Sequence, residues 1–356
     1  MERRRTSQSR ARAPEQRSTA GDGTPGRLLL TVLLLICATV LAAAVGFLLF
    51  VLREAPGEPG DPPVTVIIER GWGLTRIART LEDAEVIADY RGFILVAKQY
   101  GVANRLRAGE YAISRGLPLR DVLDQIANGR TVLHRFTVLP GETAFTVAAK
   151  LQRAGLDEKN AADNLVTDPV FCKRLGVPAR RLEGYLYPET YTYQRGANAN
   201  ELLTMMVEQF FKVWNEKFAA RTLEQKMTVH DVVTLASIVE KETAYDPERP
   251  KIARAFLNRL RIGMRLQADP TVIYSLGRHF NGNLSHAHLR QDHPYNTYTR
   301  KGLPPGPIAN PGAESMEAVL WPAEGKWKYF VSTNRGHHVF SETYKQHVNA
   351  VNKYQR

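Results

Sequence analysis

VTVIIERGWGLTRIARTLEDA, residues 64–84, reads as a strand, a glycine turn and an amphipathic helix in immediate succession. Val64 to Ile68 is short and β-branched, Gly71 offers a turn, and Ile77, Ala78, Leu81 and Ala84 then recur at helical spacing. VLPGETAFTVAAKLQRA, residues 138–154, repeats the pattern 70 residues later. Gly141 answers Gly71, while Val147, Ala148, Leu151 and Ala154 answer the four apolar helix positions. Between the copies, Tyr90–Tyr100 and Pro118–Asn128 have helical spacing and Leu106–Ile113 has that of a strand. Short strands interleaved with amphipathic helices predict an α+β fold.

Outward from this core, the N-terminal side is unlike the rest. Leu28 to Leu52 is 25 residues without a charge, enough to cross a hydrocarbon core of about 20 residues with some tilt. A cleaved secretory signal has an apolar region of roughly 7–15 residues and a small-residue cleavage site; Phe47 to Leu52 offers neither, so a retained transmembrane helix over 28–52 is expected. Seven arginines and three acids precede it, and Glu54, Glu58 and Asp61 follow it. The positive-inside rule then leaves the N-terminus in the cytoplasm, with everything after residue 53 on the far side of the inner membrane. Residues 1–27 read as a disordered cytoplasmic tail and 53–63 as a Pro/Gly linker. A small module over 64–135 and a larger domain over 136–356 complete the expected organisation.

The net charge of +12 over 356 residues calls for an anionic neighbour without choosing one. No basic face on a nucleic-acid-binding module is visible, so nucleic acid is not expected as a partner. Cys37 lies inside the apolar run, leaving Cys172 without a disulfide partner. There is no GxSxG elbow, SxxK pair or P-loop, which removes the anchors of serine-hydrolase and nucleotide chemistry. His286, His288 and His293 share a polar loop, but without a helical metal motif they read as solvated. His337 and His338 belong to a hairpin formed by residues 328–333 and 337–340, after which Ser341 is expected to cap the last helix. Residues 198–218 predict one long amphipathic helix whose Leu, Met, Phe and Trp stripe is core.

The helix from Val229 to about Thr243, opened by a Thr228/Asp231 capping box, carries the main chemical candidate. On a helical wheel, Val232, Val233, Leu235, Ala236 and Val239 share one arc. His230, Asp231, Thr234, Ser237, Lys241 and Glu242 share the other. Glu240 falls within the apolar arc as its one charged residue. Desolvation there raises a carboxyl pKa, which suits a general acid. The competing reading is a buried ion pair with Arg254, Arg259 or Arg265. Farther on, Asp269 is expected as a helix N-cap with Pro270 at the first helical position. The segments at residues 295–298 and 302–312 form a rigid Pro/Gly/Tyr loop, suited to lining a carbohydrate cleft or to a purely structural role.

Five segments in order, LEGYLYPETY (182–191), LASIVEKET (235–243), NRLRIGMRLQADPTVIY (258–274), YNTY (295–298) and GLPPGPIANPG (302–312), resemble the YceG-like family of endolytic murein transglycosylases. The resemblance implies a single-pass anchor, a LysM-like module over 64–135 and a catalytic domain acting on peptidoglycan glycan strands. It also implies Glu240 as catalytic residue and no metal or organic cofactor. The bond cut would be that between N-acetylmuramic acid (MurNAc) and N-acetylglucosamine (GlcNAc). One carboxyl would protonate the bridging oxygen and then deprotonate the sugar's own 6-hydroxyl, leaving a 1,6-anhydro end and limiting strand elongation beside peptidoglycan synthases. Glu189, Asp269, Asn296, Thr297, Tyr298, Pro304 and Asn310 are the expected substrate-binding residues. Two alternatives stay open: a muramidase-type hydrolase pairing Glu240 with Asp269 or Glu189, and a non-catalytic peptidoglycan-binding scaffold.

Overall fold

A computed structural model of the chain describes residues 25–51, 57, 61–157, 161–277 and 280–355. The tail expected over 1–27, but for its last three residues, lies outside the described residues, as does most of the 53–63 linker. Helix α1 (Pro25–Val51) contains the span Arg27–Leu49, of mean hydropathy 2.9 and with no buried residue in its most apolar stretch. Among the described residues it is the one helix long and apolar enough to cross a membrane.

The chain divides into two compact units between Arg130 and Thr131. In the first, β1 (Val64–Ile68) is followed by α2 (Leu74–Asp83), α3 (Tyr90–Gln99), β2 (Gly109–Ile113) and α4 (Leu119–Ala127). β1 and β2 pair antiparallel, with Val66 opposite Tyr111. Val66, Ile68, Ile77, Leu81, Phe93, Ile113 and Ile126 close over the fully buried Tyr111, whose hydroxyl donates to the Arg107 carbonyl at 2.7 Å.

The second unit opens with the other strand–turn–helix copy: β3 (Leu133–Thr137), a turn at Gly141 and α5 (Ala144–Arg153). Short helices α6 (Ala161–Leu165) and α7 (Pro169–Arg174) lead to β4 (Thr190–Gln194), which pairs antiparallel with β3. The helix expected over 198–218 is α8 (Ala199–Val213) with one π-turn (Trp214–Phe218) after it, then α9 (Ala219–Glu224). Next come α10 (Val229–Glu242), α11 (Arg249–Arg261), α12 (Asp269–Leu276), α13 (His286–Arg290) and α14 (Ala313–Leu320). A hairpin of β5 (Tyr329–Ser332) and β6 (His338–Ser341) precedes α15 (Tyr344–Tyr354). Thr343, not Ser341, caps α15, because Ser341 is still paired in the hairpin opposite Tyr329.

α10 is the axis of this unit, packed by α9, α11, α12 and α14. Its capping box is present, with the Thr228 and Asp231 side chains each holding the other's backbone. Every residue from Val232 to Val239 is buried, including Thr234 and Ser237, which lie on the polar arc of the wheel. That face receives the Pro/Gly loop. His230 Nε2 meets the Pro305 carbonyl at 2.9 Å, Ser237 Oγ accepts from Ile308 N–H at 3.0 Å, and Glu240 accepts from Gly312 N–H at 3.0 Å. The LEGYLYPETY segment closes the same knot through Gly184, at φ +86°. A Cβ there would stand 2.5 Å from Pro307 and 2.8 Å from Val233. Gly184→Ala is therefore expected to lower stability by at least about 2 kcal/mol, combining overpacking with a disfavoured φ. Gly196→Ala, at φ +88° but in open space, carries only the conformational part. Urea unfolding of the two variants separates these contributions.

Candidate active site

Glu240 sits at the C-terminal end of α10, where three loops and two helices converge. Gly312 N–H and Ser315 Oγ donate to its Oε2 at 3.0 and 2.8 Å, and Arg249 Nη1 stands 2.9 Å from the same oxygen. Arg249 also donates to Ser315 Oγ at 2.5 Å and to Asp246 at 3.0 Å. All of the contacts to Glu240 found among the described residues fall on Oε2, and Oε1 takes none of them. The side chain keeps 6 % of its exposure.

This corrects one sequence expectation. Glu240 is not an isolated carboxyl on an apolar arc but the acceptor of an ion pair, and the partner is none of the three arginines considered. Arg254 and Arg259 donate instead to the Ala323 and Lys328 carbonyls. Arg249, at the first position of α11, is brought across α10 by the turn at residues 243–248, a tertiary arrangement that no helical wheel can represent.

The carboxyl with the desolvated character expected of Glu240 is Glu242. Burial, reinforced by the negative charge of Asp269 and opposed by Arg259, pushes its pKa up to about 7, and its Oε2 is buried with no hydrogen-bond partner. Glu242 therefore points away from Glu240, as expected, but into protein and not into water. Glu183 is also pushed up to about 7 by burial, although it accepts from Ala144 N–H at 2.9 Å and from Tyr274 Oη at 3.1 Å. There it ties the start of α5 to α12.

The remaining expected residues sort by what their side chains hold. Asn310 is fully buried. Its Oδ1 accepts from Gly184 and Leu186 N–H, and its amide and backbone N–H both donate to the Glu142 carbonyl. With Gly141 N–H on its own carbonyl, Asn310 fastens the β3–α5 turn beside Glu240. Its amide oxygen and nitrogen are both committed to backbone partners, which makes it a positioning residue. Asn296 and Thr297 are buried too, the first bonded to three carbonyls of residues 288–291, the second to Ala268 N–H and Thr271 Oγ1. Pro304 is buried in the loop against α10. Asp269 is exposed and accepts from Tyr298 Oη at 2.5 Å on the Glu242 side of the helix. It is the first residue of α12; Ala268 holds the N-cap position. Glu189 is exposed just before β4, and its charge, with that of Glu314, acts on Tyr187. Arg249, Ser315 and Gly312 were not singled out from the sequence, although Gly312 ends the GLPPGPIANPG segment.

With this geometry in place, the comparisons decide the family. The YceG-like family model matches residues 66–353. The chain belongs to the YceG-like family. A Bacillus subtilis relative described as an endolytic murein transglycosylase is 33% identical over 322 residues, 85% of this chain and 88% of the relative. A Streptococcus pneumoniae R6 protein of the same description is 30% identical over 305 residues, 76% of this chain but only 54% of the relative. The crystal structure of a YceG-like protein from Listeria monocytogenes superposes with a TM-score of 0.56 at 34% identity, covering 80% of this chain and 98% of that one. Every residue of the Glu240 cluster lies within the YceG-like match.

Burial of Glu242 on α10 of this YceG-like chain has a consequence for stability against pH. A folded-state pKa of about 7 for Glu242, above the usual 4.5, means that the folded protein binds this proton more tightly than the unfolded chain. The resulting stability is fully present below about pH 4.5 and is lost as pH rises through 7. Glu242→Gln is therefore expected to match the parent at pH 4.5 and to exceed it in stability at pH 8. A variant less stable at pH 8 would show that Arg259 needs the charge.

Proposed function

We propose that this chain is a membrane-anchored lytic transglycosylase that cuts MurNAc–GlcNAc bonds within peptidoglycan strands, with Glu240 as its acid and base. The observation that carries the reading is the one-sided anchoring of Glu240. Three donors fix Oε2, so the carboxyl plane is set while Oε1 is left to exchange a proton with substrate. A lytic transglycosylase needs only one such group, because the 6-hydroxyl of the same sugar takes the place of water. As general acid, Glu240 has to carry a proton on Oε1 when the bond breaks. Arg249 can hold Oε2 through both halves of the cycle: Oε1–H goes to the bridging oxygen, and Oε1 then takes the 6-hydroxyl proton as that oxygen closes on the anomeric carbon. Relatives described as endolytic murein transglycosylases support the same reaction class.

α1 supplies the anchor in this reading, with the second unit outside the cytoplasmic membrane near the synthases whose strands it shortens. The strand–helix–helix–strand order of the first unit and its antiparallel β1–β2 pair support a LysM-like module. A second reading is favoured by one observation: Glu242, with its raised pKa beside Asp269, resembles the two-carboxylate arrangement of a hydrolase. Its sealed oxygen counts against it, since a proton donor has to reach the bridging oxygen.

Digestion of purified sacculi with the full chain in detergent, read by mass spectrometry, separates the readings. Glu240→Gln is expected to reduce product release by about 10²–10⁴-fold, the usual contribution of a general acid/base. The parent's products should be lighter than hydrolytic ones by one water and lack a reducing end. Reducing ends that depend on Glu242 would establish the hydrolase instead, full activity of Glu240→Gln would remove Glu240 from the chemistry, and a parent that releases no product would leave only a scaffold.

A further inference from the structure

The turn that brings Arg249 to Glu240 is fastened by a distant hairpin. One 3₁₀ turn (Asp246–Glu248) leads into α11, with Glu248 N–H on the Tyr245 carbonyl at 3.1 Å. From one end of that turn, Asp246 accepts from the Arg249 guanidinium at 3.0 Å. Glu248, at the other end, holds the N-cap position of α11, yet its side chain makes no cap hydrogen bond. It is buried, and both of its oxygens go to His338, the first residue of β6. Oε1 accepts from His338 N–H at 2.9 Å, and Oε2 lies 2.7 Å from Nδ1. A carboxylate only accepts, so Nδ1 is the donor. The imidazole packs edge-on against Phe330 of β5, which meets Phe256 of α11 in the same way. His337 adds a second contact to the turn, its ring centroid 4.7 Å from that of Tyr245.

A carboxylate taken out of water is costly unless its partners are well placed, and this one has no cap to make. It does not bind Arg249 either, whose side chain goes to Glu240, Asp246 and Ser315. What the Glu248–His338 pair fixes is position: it ties the residue next to Arg249 to a strand 90 residues farther along the chain. We propose that Glu248 and His338 are positioning residues for glycan cleavage, a clamp that holds the 246–248 turn so that Arg249 reaches Oε2 of Glu240. The inference rests on the Glu240 reading above. It gives the His337–His338 hairpin a place in the frame of the active site, two contacts removed from the reacting atoms.

The test is steady-state cleavage of soluble glycan strands by the full-length protein in detergent. His338→Phe keeps a ring against Phe330 but takes the donor from Oε2 of Glu248, whereas His338→Asn returns an N–H near the place of Nδ1. Val331→Ala, at a buried position of the same hairpin, loosens its packing without touching Glu248 and is the control. His338→Phe is expected to lower kcat about ten- to a hundredfold with KM within about twofold, because a small misplacement is felt mainly in the transition state. His338→Asn should recover most of that loss, and Val331→Ala should keep the parent's kcat below its melting temperature. If His338→Phe does not fold, Glu248→Ala asks the same question from the other side of the pair and should show the same loss.

An unchanged kcat in the variant that is read, a loss that His338→Asn does not recover, or an equal loss in Val331→Ala overturns the clamp and leaves the Glu240 reading standing. Failure of both His338→Phe and Glu248→Ala to fold makes the pair a requirement of folding and overturns the clamp as well. A parent that cuts no strands, or a fully active Glu240→Gln, overturns the Glu240 reading and this inference with it.

Discussion

Everything at the centre of the second unit depends on one carboxylate oxygen. Oε2 of Glu240 is where the end of α10, the start of α11 and the start of α14 are joined, through Arg249, Gly312 and Ser315. A buried ion pair is weak evidence of stability in itself, because desolvation opposes the Coulomb gain. Here the pair also has hydrogen bonds to Ser315 and Asp246, and those fix geometry. The result is a carboxyl whose anchored oxygen is held from three sides.

That arrangement needs a rigid frame, and the frame is made by backbone groups more than by charges. The loop 302–312 lies along the polar side of α10 and is fastened at His230, Ser237 and Glu240. Asn310 then fastens the β3–α5 turn to the LEGYLYPETY segment by filling its amide with backbone partners. The polar residues in these segments are therefore positioning devices, whereas Glu189 and Glu314 stay exposed.

How much of this was legible in the sequence follows from the range of each interaction. Local signals were readable: the two strand–turn–helix copies are both present, as is the Thr228/Asp231 capping box, since each depends on residues a few positions apart. The same short-range logic misplaced the caps at Asp269 and Ser341 by one and two residues, because hairpin pairing and the Ala268 backbone decided those ends. The wheel picked out Glu240 for the wrong environment. It placed Thr234, Ser237 and Glu242 on a polar arc without saying what covers them, since a polar face that will be covered by a distant loop looks identical to one that meets water. Arg249 was illegible for the same reason: its approach to Glu240 depends on how α11 crosses α10.

The most direct test of the central claim is a crystal structure of Glu240→Gln with an uncut glycan strand bound. The account requires a MurNAc–GlcNAc bridging oxygen about 2.6–3.2 Å from the freed end of residue 240, on the side away from Arg249. A strand whose bridging oxygens all lie nearer Glu242 and Asp269, with none within reach of residue 240, would contradict it.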